Sequence, residues 1–245
     1  MARRQTTLTV IRTERVLPGM VRVYLGDPGF DDFEPSEFTD SYVKLLFDDG
    51  VRRTYTVRSV DTEAREIAID FVVHGDEGIA GPWAANVTPG EQISLLGPNG
   101  AYAPRADADW HLIAGDESAI PAISAAVAAL PQGATAKVFI EVANSDSEIE
   151  LASPATLDLR FVHRNGASGS TLVDAVRDAE WLPGQAHVFI HGEAESVMHG
   201  LRGYIRRERG ITAEWASISG YWRRGRTEEG FRVWKSELAA AEAGS

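Results

Sequence analysis

The sequence predicts a two-domain protein. A small antiparallel β-barrel is expected over residues 1–105, followed by a doubly wound α/β domain over residues 106–245 that carries a C-terminal extension from 219 to 245. Three observations carry this expectation. Up to about Tyr102 the chain offers six β-rich runs joined by short turns and hardly any helical period, the pattern of a closed antiparallel sheet. After Pro104 the pattern becomes strand, helix, strand, which requires parallel pairing. A length of 245 residues with 44% apolar content supplies enough core for two modest domains.

Thr6 to Val16 and Val21 to Gly26 are rich in β-branched residues and flank the Pro18-Gly19 turn, so they predict a hairpin. Asp27 to Asp40 is acidic, holds two prolines and lacks a clean period; it reads as a loop leading to a strand at Tyr42 to Phe47. Asp48-Asp49-Gly50 turns the chain into the strand around Arg53. Ile67 to Val73 alternates as the next strand, and Gln92 to Leu96 follows Pro89-Gly90 as the sixth. In the second half, Trp110 to Ala114 is a short apolar strand, and Ser118 is placed to cap a helix from Ala119 to Leu130 with Pro121 in its first turn. Lys137 to Val142, Leu159 to His163 and His187 to His191 continue the sheet. Leu172 to Ala179 and Ser196 to Arg209 read as helices, the second closed by Gly210 as a left-handed cap.

Composition removes several function classes. The chain has no cysteine, so disulfides, iron–sulfur clusters and thiolate nucleophiles are excluded, and redox chemistry needs a borrowed cofactor. A net charge of -12 argues against nucleic acid as a partner. The charge is uneven, with nine basic against four acidic residues between Arg202 and Lys235. That basic end suits an anionic ligand or is a solvated helix face. Met1 to Val10 holds no apolar segment of signal-peptide length, and Ile120 to Leu130 is too short to span a bilayer, so a cytoplasmic protein without membrane insertion is expected. His187 and His191 are four residues apart, but on a stretch that reads as a strand and not as a zinc helix, and no loop has calcium spacing, so no protein-ligated metal is expected. A Gly-x-Ser-x-Gly elbow is absent as well.

The stretch Arg53-Thr54-Tyr55-Thr56-Val57-Arg58 organises the chain. On a strand, Arg53, Tyr55 and Val57 share one face and Thr54, Thr56 and Arg58 the other. Alone it reads as a half-buried strand. Yet an aromatic ring that can lie on a flat heterocycle, a guanidinium that can grip a phosphate and a hydroxyl that can bond a ring carbonyl stand within four residues. Downstream, a strand from Asp70 runs through His74 into the turn Gly75-Asp76-Glu77-Gly78 and a short helix carrying Trp83, where exposed backbone amides can cradle a pyrophosphate.

This pair of segments resembles the FAD site of the siderophore-interacting proteins, a flavoprotein branch of the ferredoxin-reductase superfamily. Gly97-Pro98-Asn99-Gly100-Ala101-Tyr102, Ala114-Gly115-Asp116-Glu117-Ser118-Ala119, His191-Gly192-Glu193-Ala194 and Gly220-Tyr221-Trp222-Arg223-Arg224-Gly225 are similar to that family's other blocks, in its order. The resemblance spans roughly Val10 to Lys235. It implies a ferredoxin-reductase-like fold with FAD bound by the barrel and NADH or NADPH visiting the second domain. The implied FAD contacts are Arg53, Tyr55, Thr56, Asp70, Val72, His74, Gly78, Ala80 and Trp83, joined by Asp116 and Ala119 and by Tyr221 and Trp222 just past a strand end. Lys44, mid-strand, is an edge or solvent-face residue or, as the resemblance implies, lies near the mouth of the flavin pocket; with Arg223 and Arg226 of the basic end it is a candidate for binding a ferric siderophore. No catalytic side chain is implied, because the flavin performs the chemistry. A monomer is expected, with ferredoxin as another conceivable donor. A general flavin reductase, a ferredoxin reductase, or a flavin- or siderophore-binding protein without turnover would use the same two domains.

The second domain departs from a Gly-rich dinucleotide loop. Gly115-Asp116-Glu117-Ser118 has one glycine and two carboxylates where a pyrophosphate would approach. Those carboxylates bond ring or ribose groups, or only favour the helix dipole. Glu141 suits a ribose 2′-hydroxyl and so NADH, whereas Arg164 suits a 2′-phosphate and so NADPH; the residues leave both open.

Overall fold

The computed structural model describes residues 5–73, 78–166, 171–226 and 230. Strands β1 (Gln5–Leu17), β2 (Met20–Gly26), β3 (Tyr42–Leu46), β4 (Arg52–Asp61), β5 (Glu66–Val72) and β6 (Gln92–Asn99) close into an antiparallel barrel in the order β1-β2-β5-β4-β3-β6. Alternate residues point inward and fill the lumen, among them Leu8, Val23, Leu25, Val43, Leu45, Ile67, Ile69, Phe71 and Leu95, all fully buried. Closure leaves the barrel without an unpaired edge. Helix α1 (Ala80–Asn86) follows β5 and packs Ala80 and Ala84 into the same core.

β5 departs from the expected alternation, because Glu66 through Phe71 are buried on both faces. The polar members of its outer face are therefore paired. Asp70 accepts from Arg22 Nε at 2.6 Å and Nη2 at 2.9 Å, and Glu66 binds Arg12 through both oxygens. Register explains the first pair: Arg22 and Asp70 stand directly opposite each other across β2 and β5. A bulge in β4 after Val57 resets the phase, so that Val60 packs inward beyond it.

The second domain is a five-stranded parallel sheet. β7 (Trp110–Asp116), β8 (Thr135–Val142), β9 (Thr156–His163), β10 (Ala186–Glu193) and β11 (Ala216–Trp222) lie in the order β11-β10-β7-β8-β9. Helix α2 (Ile120–Ala128) packs on Ile113, Val138, Ile140 and Phe189 of one face. Helix α3 (Thr171–Arg177) and a last helix cover Leu112, Ala114, Val188 and Ile190 of the other. This is a doubly wound sheet whose strand order reverses between β7 and β10. The last helix is wound in π turns over Glu195–Leu201 and Tyr204–Glu208, and Gly210, at φ 70°, ends it.

Two expectations need correction here. Tyr221 and Trp222 lie inside the edge strand β11, paired with β10, and not past a strand end. The turn before α2 is capped by Asp116, whose carboxylate accepts from Ser118 N at 2.9 Å; the Ser118 hydroxyl donates to the same oxygen instead of capping the helix.

The domains share an apolar seam. Val16, Leu17, Met20 and Val72 of the barrel pack into the cluster that holds α2, and Tyr102 stacks on His187 at 4.6 Å. Among the described residues, no helix is long and apolar enough to cross a membrane.

Candidate functional site

The strand-order reversal brings the carboxyl ends of β7 and β10 side by side, and that contact requires glycine. A Cβ on Gly115 would stand 2.4 Å from the His191 carbonyl oxygen. Gly192 has φ 145°, and a Cβ there would meet the Asp116 carboxyl carbon at 2.9 Å. The Asp116 side chain fills this crossing. Besides Ser118, it accepts from Glu193 N at 2.7 Å and from Trp222 Nε1 at 2.8 Å. Burial raises the Asp116 pKa, and the hydrogen bonds from Ser118, Trp222 and Glu193 oppose that rise. The carboxylate thus works as a bracket that ties β7, β10 and β11 together. Glu193 extends the bracket, accepting from Ser196 N at 3.0 Å and Arg224 N at 3.1 Å.

Tyr221 connects this bracket to the barrel. Its hydroxyl lies 2.8 Å from His191 Nδ1, and His191 Nε2 lies 2.8 Å from Ser217 Oγ. The hydroxyl also interacts with the side chain of Thr56. Burial, with Asp40 second, raises the Tyr221 pKa, so the phenol stays protonated. Thr56 faces outward from β4 yet is buried. The contact therefore places Tyr55-Thr56 of the organising strand beside Tyr221-Trp222 of the sheet edge. Asp40 pins the linker into this seam, accepting from the amides of Ala101 at 2.8 Å and Tyr102 at 2.9 Å.

On the barrel's inner side Tyr55 packs against Phe71 at 4.4 Å, Phe71 against Trp83 at 5.4 Å, and Trp83 against Phe47 at 5.7 Å. Tyr55 and Trp83 are thus half-buried members of an aromatic row as well as candidate contacts. Gly78 has φ 81°, and among the described residues no atom lies within 4 Å of where its Cβ would stand. Ala80 begins α1, and Ala119 is fully buried just before α2. Val72 lies at the seam, while Asp70 is held by Arg22. His74 falls outside the described residues. Lys44 sits on β3 opposite Thr54 of β4 and is half-buried. Arg223 donates to Glu195 at 3.0 Å, and Arg226 is exposed in the turn that follows. Neither His191 nor Glu193 was singled out from the sequence as a site residue; the His191-Gly192-Glu193 block was their only signal.

This arrangement suits a flat, phosphate-bearing group. Trp222 is 37% exposed, yet its ring is fixed by the Asp116 bond, so an indole is presented at the seam without freedom to turn. The Thr56 hydroxyl, the half-buried Tyr55 ring and the Gly78 backbone are the other contacts expected of the barrel. No cluster of three or more metal-ligating side chains occurs among the described residues. A barrel joined to a doubly wound sheet at its switch point is a ferredoxin-reductase-like fold, which the ferredoxin reductase of carbazole 1,9a-dioxygenase shares at a TM-score of 0.72 and 14% identity, covering 90% of this chain and 69% of its own.

Comparison with known sequences gives the family. Residues 48–102 match the siderophore-interacting FAD-binding domain and residues 108–225 match the siderophore-interacting protein model. An uncharacterized protein of Mycobacterium tuberculosis is 54% identical over 96% of both chains. Ferric vibriobactin reductase ViuB of Vibrio cholerae is 34% identical over 74% of this chain and 68% of its own. A siderophore utilization protein from T. fusca superposes with a TM-score of 0.82 at 34% identity, covering 91% of this chain and 94% of its own. The chain belongs to the siderophore-interacting protein family, with its FAD-binding domain.

Proposed function

We propose that this protein is an FAD-dependent ferric-siderophore reductase, taking electrons from NADH or NADPH and delivering them to a chelated Fe(III) that leaves as Fe(II). The observation that carries this reading is the seam itself, where Thr56 of the FAD-binding segment meets Tyr221 at the switch point of the doubly wound sheet. The 34% identity to a protein named ferric vibriobactin reductase supports it. When bound, FAD supplies the conversion of a two-electron hydride into single electrons.

The chain's own residues bind, orient and exclude water. Arg53 is assigned to the pyrophosphate, with the backbone around Gly78 and Ala80 and the side chain of His74 beside it. Tyr55, Trp83 and Trp222 supply ring planes, and the Thr56 hydroxyl bonds the ring edge while Tyr221 holds it from the second domain. Asp70 and Val72 complete the assigned contacts, the fully buried Ala119 supports them from behind, and Asp116 sets the orientation of Trp222. No side chain has to act as an acid or base. Lys44, Arg223 and Arg226 are assigned to an anionic chelate. Reduction weakens the chelate because hard oxygen donors hold the less charged Fe(II) poorly.

The test is the absorption spectrum of the purified protein under argon. Oxidised-flavin bands that bleach on adding NADH or NADPH are expected; a folded protein that is colourless and takes up no added FAD would contradict the reading.

A further inference from the structure

At the carboxyl ends of β7, β8 and β9 three charged side chains form one unit. Arg164, the residue after β9, donates through Nη1 to Glu117 at 2.8 Å and to Glu141 at 3.1 Å, and through Nη2 to the second Glu117 oxygen. The other Glu141 oxygen accepts from the Thr171 hydroxyl at 2.5 Å and Leu172 N at 3.0 Å, at the start of α3. All three side chains are largely enclosed, with exposures of 18% for Arg164, 17% for Glu117 and 8% for Glu141. Burial lowers the Arg164 pKa, but the hydrogen bonds and charges of Glu117 and Glu141 outweigh it and raise it, so one guanidinium cation is shared by two acidic side chains.

In a doubly wound sheet the acidic residue that ends the second strand reads a ribose 2′-hydroxyl, and a nearby arginine takes a 2′-phosphate. Glu141 is the last residue but one of the second strand of this sheet, and Arg164 follows the third. Arg164 is the cation that a 2′-phosphate would seek, but its fork is already closed on Glu117. A 2′-phosphate would have to displace an enclosed carboxylate and then lie beside the net negative charge left behind. A ribose 2′-hydroxyl needs no such exchange, because the Glu141 oxygen that faces Arg164 has remaining acceptor capacity.

We infer that Glu117, by occupying Arg164, makes this unit the element that selects a donor dinucleotide with a free 2′-hydroxyl, NADH, over one with a 2′-phosphate, NADPH. The inference rests on the nicotinamide-donor reading above and names the donor for that site.

The test separates the two. Calorimetric titration of the FAD-loaded protein with 5′-AMP and with adenosine 2′,5′-bisphosphate compares ligands that differ only in the 2′-phosphate. The native protein is expected to favour 5′-AMP by about tenfold or more, and Glu117→Gln to shift that ratio toward the bisphosphate by about tenfold or more. Glu117→Gln combined with Arg164→Gln should lose the shift, because it acts through the guanidinium. The NADPH-to-NADH ratio of kcat/KM for anaerobic flavin reduction should move in parallel. A native protein that favours the bisphosphate, a Glu117→Gln variant with unchanged preference and melting temperature, or fragments that bind to neither protein would overturn the inference. If Glu117→Gln does not fold, Arg164→Gln alone decides: unchanged bisphosphate affinity supports the inference, and a clear loss shows Arg164 already takes the phosphate and refutes it. Fragments that discriminate as expected while neither dinucleotide reduces the flavin would keep the selectivity and remove the donor reading.

Discussion

Arg53 and Tyr55 stand two residues apart on β4, and their proposed roles are additive because each meets a different part of the cofactor. With contacts worth about 1–3 kcal/mol each, Arg53→Ala with Tyr55→Ala should weaken FAD binding by orders of magnitude, read as flavin content after gel filtration. Since Tyr55 also packs on Phe71, a lowered melting temperature is expected too; full flavin content in the folded variant would remove the two residues from the site. His111 and His187 make a separate prediction. Burial lowers both pKa values to about 4, and the two ring nitrogens of His111 are buried without a hydrogen-bond partner among the described residues. Both imidazoles are thus neutral in the fold, whereas the unfolded chain takes up protons near pH 6.5. Stability from these groups is full above pH 6.5 and falls as the pH drops toward 4, by up to about 1.4 kcal/mol per unit for each histidine. Thermal melts between pH 7 and 5 should show this slope, and His111→Leu should flatten it without lowering stability at pH 7; an unchanged slope in that variant would refute the assignment. These histidines were not legible in the sequence, since nothing in their spacing says that both fall beneath the linker.

At the scale of elements, the strands were legible because their β-branched runs and Pro/Gly turns are local signals. What the sequence could not show is which outer faces the second domain covers. β5 alternates in sequence, yet it is buried on both sides, and only Arg22 of the adjacent β2 and Arg12 of β1, one strand further, reveal why its acids are tolerated. A strand end before Tyr221 was legible, but Ser217, Ser219 and Gly220 dilute the pattern of β11 and hid its reach to Trp222, and with it the pairing that sets Trp222 beside Asp116. The crossing of β7 and β10 gives the prediction proper to this scale. Gly192→Ala places a Cβ against Asp116 and forces a conformation that L residues avoid. A loss of about 1–3 kcal/mol is expected, with a fall in flavin affinity as Trp222 loses its anchor. Calorimetric melting and FAD titration of the same sample check this; unchanged affinity would show that the Asp116 bracket does not shape the site.

For the whole molecule, an acidic body with a basic end proposes how an anionic chelate is met. Arg223 already pairs with Glu195, so its contribution should be smaller than that of a fully exposed cation. Replacing Lys44, Arg223 and Arg226 together by alanine should raise the apparent KM for an anionic ferric chelate several-fold while affecting a neutral chelate much less, with the native rate falling as salt shortens the ~10 Å screening length. Equal losses with both chelates would make the patch structural. The two-domain plan and most FAD contacts could be proposed from motifs, and Glu141 and Arg164 already gave opposite signals about the donor; that Glu117 closes on Arg164 could not be read, because the three residues lie at separate strand ends and meet only in the fold. The central claim is tested most directly by reducing the FAD-loaded protein with dithionite under strict anaerobiosis, removing the excess, and adding a ferric tris-catecholate siderophore with an Fe(II)-trapping dye. The account predicts that the flavin bands return while about two Fe(II) appear per FAD; a flavin that stays reduced, with no trapped Fe(II), would contradict it.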